Sequence, residues 1–168
     1  MRYEEFTIEG RNAVIEAYRA GRPIDKLFIL DGCQDGPILT IKREAKAKQT
    51  PVKFVTKERL DQLSETGKHQ GVIAYAAAYE YATVEEILDN ARQKGEAPFL
   101  FLLDNIEDPH NLGAIIRTAN LAGAHGVIIP KRRAVGLTAI VAKTSAGALN
   151  YTPVAKVTNL KQTMEELK

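Results

Sequence analysis

The feature that most constrains the fold is the repeated change of apolar spacing, from helical to strand-like and back, between residue 10 and residue 168. Short apolar runs are typical of strands, and amphipathic stretches separate them. The predicted strands are DKLFILDG, PVKFVT, GVIAYAAAY, FLFLLD, GVIIP and TPVAKV. The predicted helices span 12–20, 37–49, 57–66, 83–94, 109–122, 137–149 and 159–168. This alternation, without an internal repeat, predicts an α/β fold.

The pattern divides the chain into two α/β runs with a junction between Ala78 and Pro98. We therefore predict a first domain over 1–78, a linker with a helix over 79–97, and a second domain over 98–168. Thr83 is expected to cap the linker helix and Gly95 to end it. The strand FLFLLD is continuously apolar, so we expect it to be buried on both faces of a parallel sheet.

Length and charge exclude several classes of protein. With 168 residues, 45% of them hydrophobic, the chain can bury a core without disulfides or metal. A single cysteine, Cys33, and an N-terminus without an apolar signal sequence favour the cytoplasm. The net charge is only +2, so nucleic acid could be contacted only through a local basic patch.

Common catalytic motifs are missing from the sequence. It contains neither GxGxxG after a strand nor GxxxxGK[ST], which disfavours standard dinucleotide and P-loop sites. Ser145 lies in a helical pattern with Lys143 two positions before it, where a nucleophile elbow has glycine. His69, His110 and His125 lack metal-ligand spacing, so no metal site is predicted.

The most unusual segment, 102–133, places a polar loop directly after an apolar strand, where open α/β sheets bind ligands. Asp108 is expected to cap the next helix, with Pro109 as its first residue. The stripe that should face inward comprises Leu112, Ile115, Ile116 and Ala119. Gly113, Arg117 and Asn120 share the opposite face. Two interpretations stay open: Arg117 contacts a ligand, or it is a solvated residue and Gly113 permits close packing.

This segment resembles motif 1 of the SpoU (TrmH-type) branch of the SPOUT RNA methyltransferases. The likeness lies in Asn111-x-Gly113-x-x-x-Arg117-Thr118, with Leu103-Asp104 and Asp108-Pro109 before it and 127–130 after it. It continues at 143–148 and at Pro153-Val154. Upstream, 10–14 and 68–72 resemble the L30e-like domain of the 23S rRNA guanosine 2′-O-methyltransferase (RlmB-like) subgroup. The resemblance implies an N-terminal L30e-like α/β domain followed by the first part of a SPOUT (Rossmann-like, α/β knot) methyltransferase domain.

The resemblance also implies a reaction: transfer of a methyl group from S-adenosylmethionine to a ribose 2′-hydroxyl, with 23S rRNA as the substrate. Asn111 and Arg117 match the family's catalytic positions, with Asn111 ordering the site and the RNA. A guanidinium is almost always protonated, so a literal base is difficult to reconcile with Arg117. The alternative is that Arg117 grips a phosphate and holds the ribose.

Other residues are candidates for RNA contact. In the first domain these are Arg11, Lys68, His69 and Gln70, for which a solvated turn is the alternative. In the second domain Lys131, Arg132 and Arg133 form the densest basic cluster, directly after a predicted strand. Phosphate contact is the favoured interpretation of that cluster.

The sequence departs from the family in one respect. Neither the GxEGxG-like segment nor the SLNVSVA-like segment, which build the knot and the cofactor pocket in family members, occurs in 1–168. We therefore expect a shortened domain without the knot segment, no cofactor-binding residues, and a chain that is inactive alone. The full-length family forms homodimers. The alternatives are a non-catalytic RNA-binding module and an unrelated α/β enzyme that uses the loop around Asn111 and Arg117 on a phosphorylated small molecule.

Overall fold

The computed structural model describes residues 7–168. Residues 1–6, which begin the predicted first domain and hold most of the N-terminus examined for a signal sequence, lie outside the described part. The predicted α/β class is confirmed, because helices and strands alternate along the chain. The chain divides between Ala78 and Tyr79 into two compact units. No helix within residues 7–168 is long and apolar enough to cross a membrane.

The first unit is built on a mixed sheet. Its elements are β1 (Thr7–Glu9), α1 (Arg11–Arg19), β2 (Ile24–Leu30), α2 (Gly36–Ala47), β3 (Val52–Val55), α3 (Lys57–Leu63) and β4 (Val72–Ala76). The strand order is β1-β4-β2-β3. β4 pairs antiparallel with both β1 and β2, whereas β2 and β3 are parallel. The predicted helices and strands of this unit are thus present, with small shifts at their ends.

Successive side chains of a strand point to opposite faces of the sheet, and this alternation explains which helices cover each face. Leu27 and Ile29 of β2 are fully buried in one cluster with residues of α1 and α2. Phe28, between them, points to the other face and packs with Leu60 of α3. The sheet is therefore sandwiched, with α1 and α2 on one side and α3 on the other.

The second unit is built on a parallel sheet. Its elements are α4 (Val84–Lys94), β5 (Leu100–Leu102), α5 (Pro109–Leu121), β6 (Gly126–Pro130), α6 (Ala139–Thr144), β7 (Val154–Val157) and α7 (Leu160–Glu166). The strand order is β5-β6-β7, and both pairings are parallel. The carboxyl ends of the three strands therefore lie at one edge of the sheet.

The expectation that the first strand of this sheet is buried on both faces is wrong. All three residues of β5 are only half-buried, because β5 is an edge strand. β6 is the central strand instead, and all five of its residues are buried. A continuous apolar run indicates burial, but it does not say which strand of a parallel sheet lies in the middle.

Helix α4, which the sequence pattern assigned to a linker, packs within the second unit. The predicted Thr83 cap is present and forms a capping box with Glu86, and Gly95 ends the helix in a left-handed conformation. Ile87 of α4 is fully buried against Ile128 of β6 and Ala155 of β7. A Cβ atom at Gly126 would lie 2.6 Å from Ile87 Cδ1, so this glycine lets the helix approach the strand.

The helix predicted over 137–149 is wrong in its length. α6 covers only Ala139–Thr144, and a separate 3₁₀ turn covers Ala148–Asn150. Between them, Ala146 and Gly147 both have positive φ, 50° and 85°. Two consecutive residues with a left-handed backbone conformation end an α-helix. The spacing of apolar residues does not indicate where such residues occur.

Candidate functional site

Helix α5 begins as the sequence predicts. The Asp108 side chain accepts a hydrogen bond of 2.8 Å from the backbone N–H of Asn111, and Pro109 is the first helical residue. Proline has no N–H to leave unsatisfied in a first helical turn. The polar loop after β5 therefore leads directly into a helix with a fixed start.

Asn111 and Arg117 are both exposed on α5. Neither side chain has a hydrogen-bond or ion-pair partner within residues 7–168. Asn111 and Arg117 are six positions apart, which is about 9 Å along the axis of an α-helix and about 120° around it. Each helical Cα–Cβ bond tilts toward the N-terminus, so the long Arg117 side chain starts out in the direction of Asn111. The two groups are free to hold different parts of one ligand.

Three residues of α5 were predicted to point away from the core: Gly113, Arg117 and Asn120. Of these, only Arg117 is exposed. Gly113 is buried, and a Cβ atom there would lie 2.8 Å from Thr144 Cβ. The hydroxyl of Thr144 is itself held by a 2.8 Å hydrogen bond to Ile140 O. Gly113 thus permits close packing of α5 on α6. At the other end of α5, the Asn120 side-chain oxygen accepts a 3.1 Å hydrogen bond from the buried Thr152 hydroxyl.

Ser145 is part of the same packing. Its side chain is fully buried, and its hydroxyl donates a 2.9 Å hydrogen bond to Ala142 O. A nucleophile needs an accessible oxygen and a neighbouring base. The structure agrees with helix packing rather than with a nucleophile elbow.

The basic cluster 131–133 forms the loop after β6, and this loop is tied to the loop after β5. Val135 N–H donates a 2.8 Å hydrogen bond to Ile106 O. Arg133 forms an ion pair of 3.2 Å with Asp104, and its φ is positive at 60°. The two loops, 103–108 and 131–135, are therefore held together next to the start of α5.

Three cations gather at this end of the sheet. Arg132 is exposed and has no partner within residues 7–168. Burial lowers the pKa of the Lys131 ammonium group, and the nearby charge of Lys156 lowers it further. Lys156 also lies 5.0 Å from the centre of the Tyr81 ring. The local charge is positive although the whole chain is nearly neutral.

A cleft opens at the carboxyl ends of the three parallel strands. Its volume is about 650 Å³, within the usual range for sites that bind small molecules. The residues that line it follow or end each strand in turn: Leu102, Asp104, Pro130, Arg132, Arg133, Thr158, Asn159, Leu160, Lys161 and Met164. We call this feature the strand-end cleft.

In the first unit, Arg11 and Gln70 are in direct contact. Arg11 Nε donates a 3.0 Å hydrogen bond to Gln70 O, and Arg11 N–H donates one of 3.2 Å to Gln70 Oε1. Arg11 also forms an ion pair of 2.7 Å with Asp35. Gln70 has a positive φ of 50° and Gly71 one of 83°. Arg11 therefore fixes a strained turn, whereas the exposed Lys68 beside it has a side chain without a partner within residues 7–168.

His69 is held inside the fold. Its ring is buried, its Nδ1 accepts a 3.0 Å hydrogen bond from Gly71 N–H, and its Nε2 lies 2.9 Å from Asp61. These contacts require Nε2 to carry the proton. The hydrogen bond of Lys57 to Asp61, followed by that of His69, lowers the pKa of the Asp61 carboxyl. The buried ring of His69 thus holds the turn at Gln70 and Gly71 in place through its hydrogen bond to Gly71.

One carboxylate, Glu9, holds the loop before that turn. It accepts hydrogen bonds from the hydroxyls of Ser64 and Thr66 at 2.6 Å each. It also accepts from the backbone N–H groups of Glu65 and Thr66. Burial raises the pKa of Glu9, but these hydrogen bonds outweigh burial and the pKa lies below its ordinary value. Lys68 therefore extends from a fixed loop.

Several residues of the strand-end cleft were missed by the sequence analysis. The missed residues lie after β7, the third strand of this unit: Asn159, Lys161 and Met164. Ligand contacts were predicted only at the ends of the first two strands. The signal was present, because the rule that strand ends bind ligands applies equally to TPVAKV. No sequence pattern indicated the ion pair between Arg133 and Asp104, since the two residues are far apart in sequence.

Two protein-family models match the chain. The model described as RNA 2′-O ribose methyltransferase substrate binding matches residues 7–82. The model described as the SpoU rRNA Methylase family matches residues 98–168. The chain belongs to the SpoU/TrmH family. Residues Asn111 and Arg117 lie in the part that matches the SpoU methylase model.

Relatives in this family are similar along most of the chain. A Bacillus subtilis protein, YacO, assigned to the TrmH family of tRNA/rRNA methyltransferases, is 49% identical over 159 residues. The match covers 95% of this chain and 64% of YacO. A Staphylococcus epidermidis protein assigned to the same family is 47% identical, with 98% and 66% covered. The chain thus spans slightly less than two thirds of the length of these curated relatives.

Solved SpoU-family structures are more distant. The AdoMet-bound rRNA methyltransferase from Sinorhizobium meliloti is 24% identical, with a TM-score of 0.43, and the match covers 95% of this chain and 56% of that one. The SpoU methyltransferase AviRb from Streptomyces viridochromogenes, in complex with AdoMet, is 21% identical, with a TM-score of 0.43 and coverage of 96% and 58%.

Proposed function

We propose that the chain provides the RNA-binding and Arg117-bearing parts of an RNA 2′-O-ribose methyltransferase that uses S-adenosylmethionine. The observation that carries this proposal is that Asn111 and Arg117, on the helix that carries the family motif, are exposed side chains without a partner in the described part of the chain. The substrate class follows from membership of the SpoU/TrmH family. We further propose 23S rRNA as the target, from the resemblance of the first unit to the RlmB-like subgroup, and a homodimer as the working form, from the resemblance to the full-length family.

The role of Arg117 follows from its charge. A ribose 2′-hydroxyl is a very weak acid, so its proton leaves more easily when a positive charge stabilises the oxygen anion. A guanidinium keeps its own proton, so Arg117 acts as a clamp on a phosphate and on the ribose, not as a base, and the proton of the 2′-hydroxyl passes to that phosphate or to water. Asn111, about 9 Å further along the axis, orients the RNA.

The methyl donor does not fit the strand-end cleft. S-adenosylmethionine carries a positive sulfonium, and the cleft is lined by Arg132, Arg133 and Lys161. Like charges repel at this range. When bound, the cofactor supplies the methyl group. No residue within 7–168 is assigned to the methyl donor.

The first prediction concerns Arg117. We join the chain to the C-terminal third of YacO, a protein longer than this chain, and measure methyl transfer to rRNA. Mass spectrometry of the digested RNA locates the methyl group on ribose or base. Arg117→Ala should lower turnover by a factor on the order of 10² to 10³, as loss of one charge-stabilising donor does. Arg117→Lys should restore little, because lysine cannot form the bidentate contact.

Arg92→Ala is the matched control, because Arg92 is an exposed arginine that pairs with Glu85 and Asp89 on α4. It should retain full turnover. Unchanged turnover in Arg117→Ala would show that Arg117 is a solvated helix residue. A methyl group found on the base would overturn the ribose assignment.

A non-catalytic RNA-binding module is the second candidate function. It is favoured by Lys68, an exposed cation on a loop that Glu9 fixes by hydrogen bonds. If the chain binds RNA while the YacO fusion transfers no methyl group, this function replaces the first. Retained transfer that depends on Arg117 rejects it.

A further inference from the structure

The strand-end cleft combines two kinds of surface. Arg132 and Lys161 are exposed cations without partners within residues 7–168. Leu102, Leu160 and Met164 provide an apolar floor, and the Met164 side chain is 44% exposed. Cations bind phosphate, and an apolar surface contacts the face of a base. Both groups occur together in a nucleotide.

The position of the cleft connects it to the proposed catalytic helix. Asp104, which lines the cleft, lies on the loop that leads into α5. Arg133 bonds to Asp104, and Val135 bonds to Ile106 on the same loop. A nucleotide held in the cleft is therefore fixed relative to the start of α5, where Asn111 lies.

We propose that the strand-end cleft binds one unpaired nucleotide of the RNA strand, a neighbour of the nucleotide held by Arg117, with its phosphate on Arg132 and Lys161 and its base on Met164 and Leu102. This inference rests on the proposed function and adds to it a second point of attachment.

The unpaired state of the RNA follows from the shape of the site. A base can reach the apolar floor of a cleft only when it is unstacked from its neighbours. A duplex would offer its phosphates to Arg132 and Lys161 but would keep its bases away from Met164. The cleft should therefore prefer single-stranded RNA over a duplex of the same length.

The test uses the full chain and a fluorescein-labelled single-stranded oligoribonucleotide of about twelve residues, titrated by anisotropy across a salt series. Arg132→Ala with Lys161→Ala should weaken binding on the order of tenfold at 0.1 M salt and reduce the salt slope by about 0.7, the value for one phosphate of a single strand. Met164→Gln should weaken binding about threefold to tenfold with an unchanged slope, because it removes only apolar contact. All three side chains are exposed, so the fold should tolerate these changes.

Arg43→Ala with Lys94→Ala is the charge-matched control, since both side chains are exposed and neither lines the cleft. Cleft variants that behave like this control would overturn the cleft proposal while leaving methyl transfer by the YacO fusion intact. No binding of the oligonucleotide by the unaltered chain at low salt would also overturn it. Loss of affinity in the arginine and lysine variants without any effect of Met164→Gln, or equal competition by polyglutamate, would show only a basic patch and reject a nucleotide site.

The two proposals fail separately. If the fusion transfers no methyl group but the cleft variants lose affinity as expected, the cleft is a nucleotide site and the catalytic proposal is wrong. If transfer depends on Arg117 and the cleft variants bind normally, the catalytic proposal stands and the cleft proposal is wrong.

Discussion

At the scale of single residues, Glu9 shows how one carboxylate can fix a loop of the first unit. Its two oxygens accept hydrogen bonds from two hydroxyls and two backbone N–H groups of residues 64–66. Lys68 follows directly on the same loop. A residue that no motif singles out therefore determines where a proposed RNA contact lies.

The pKa of Glu9 predicts a pH dependence. Because it is lower in the folded chain than in the unfolded chain, the stabilisation by Glu9 is complete above the ordinary carboxyl range and is lost as the pH falls through the folded value. Glu9→Gln should lower the free energy of unfolding by roughly 1 kcal/mol at pH 7. At about pH 3 the difference should shrink. Urea titrations at the two pH values measure it.

Glu65→Gln is the control for this prediction, because only the backbone of Glu65 contacts Glu9. It should leave the free energy of unfolding within about 0.5 kcal/mol, as surface changes usually do. An effect of Glu9→Gln that stays the same at both pH values would mean that the charge of Glu9 is not what holds the loop.

At the scale of elements, the contact of α5 with α6 depends on Gly113, which has no side chain. Gly113→Ala adds a Cβ atom that would lie 2.8 Å from Thr144 Cβ, while Thr144 is held by Ile140 O. We expect the free energy of unfolding to fall by about 1–3 kcal/mol, as for overpacked cores. Urea denaturation followed by circular dichroism measures it.

Gly36→Ala provides the comparison. Gly36 is the first residue of α2, and nothing lies within 4 Å of a Cβ atom placed there. Alanine should leave stability unchanged or raise it by up to about 1 kcal/mol through lower entropy of the unfolded chain. Equal behaviour of the two variants would show that α5 and α6 can separate without cost.

The elements also show what could be predicted from sequence. The Asp108 and Thr83 caps were predicted correctly because a cap is a local interaction between residues three apart. The break after α6 was missed because Ala146, unlike glycine, gives no sign of a left-handed conformation. The edge position of β5 was missed because strand order depends on pairing between distant segments. Asn111 and Arg117 were proposed from the motif, whereas Lys161 and Met164 would have needed the strand-end rule to be applied to the third strand of this unit.

At the scale of the whole molecule, a net charge of +2 is too small to attract RNA by itself. Affinity should therefore depend on where the cations lie. Arg43→Glu with Lys94→Glu changes the net charge from +2 to −2, because each substitution removes one positive charge and adds one negative charge. Both residues are exposed and belong to neither proposed contact. We expect the affinity for the oligoribonucleotide to change less than about threefold at 0.1 M salt, where charges far apart are screened.

Arg132→Ala changes the net charge by only one unit but should weaken binding more than the double glutamate variant does. Anisotropy under identical salt conditions compares the two directly. A loss of affinity that follows net charge, with the double variant weakest, would contradict a local interface.

The contacts between the loops 103–108 and 131–135 restrict how the sequence of this protein can vary. Val135 bonds to Ile106, and Arg133 to Asp104, so each loop sets the length that the other requires. Inserting one residue between Pro130 and Ala134 would move Arg133 out of register with Asp104 and disturb the entry to α5. Changes of loop length, which surface loops usually tolerate, should therefore be accepted here only as compensating pairs.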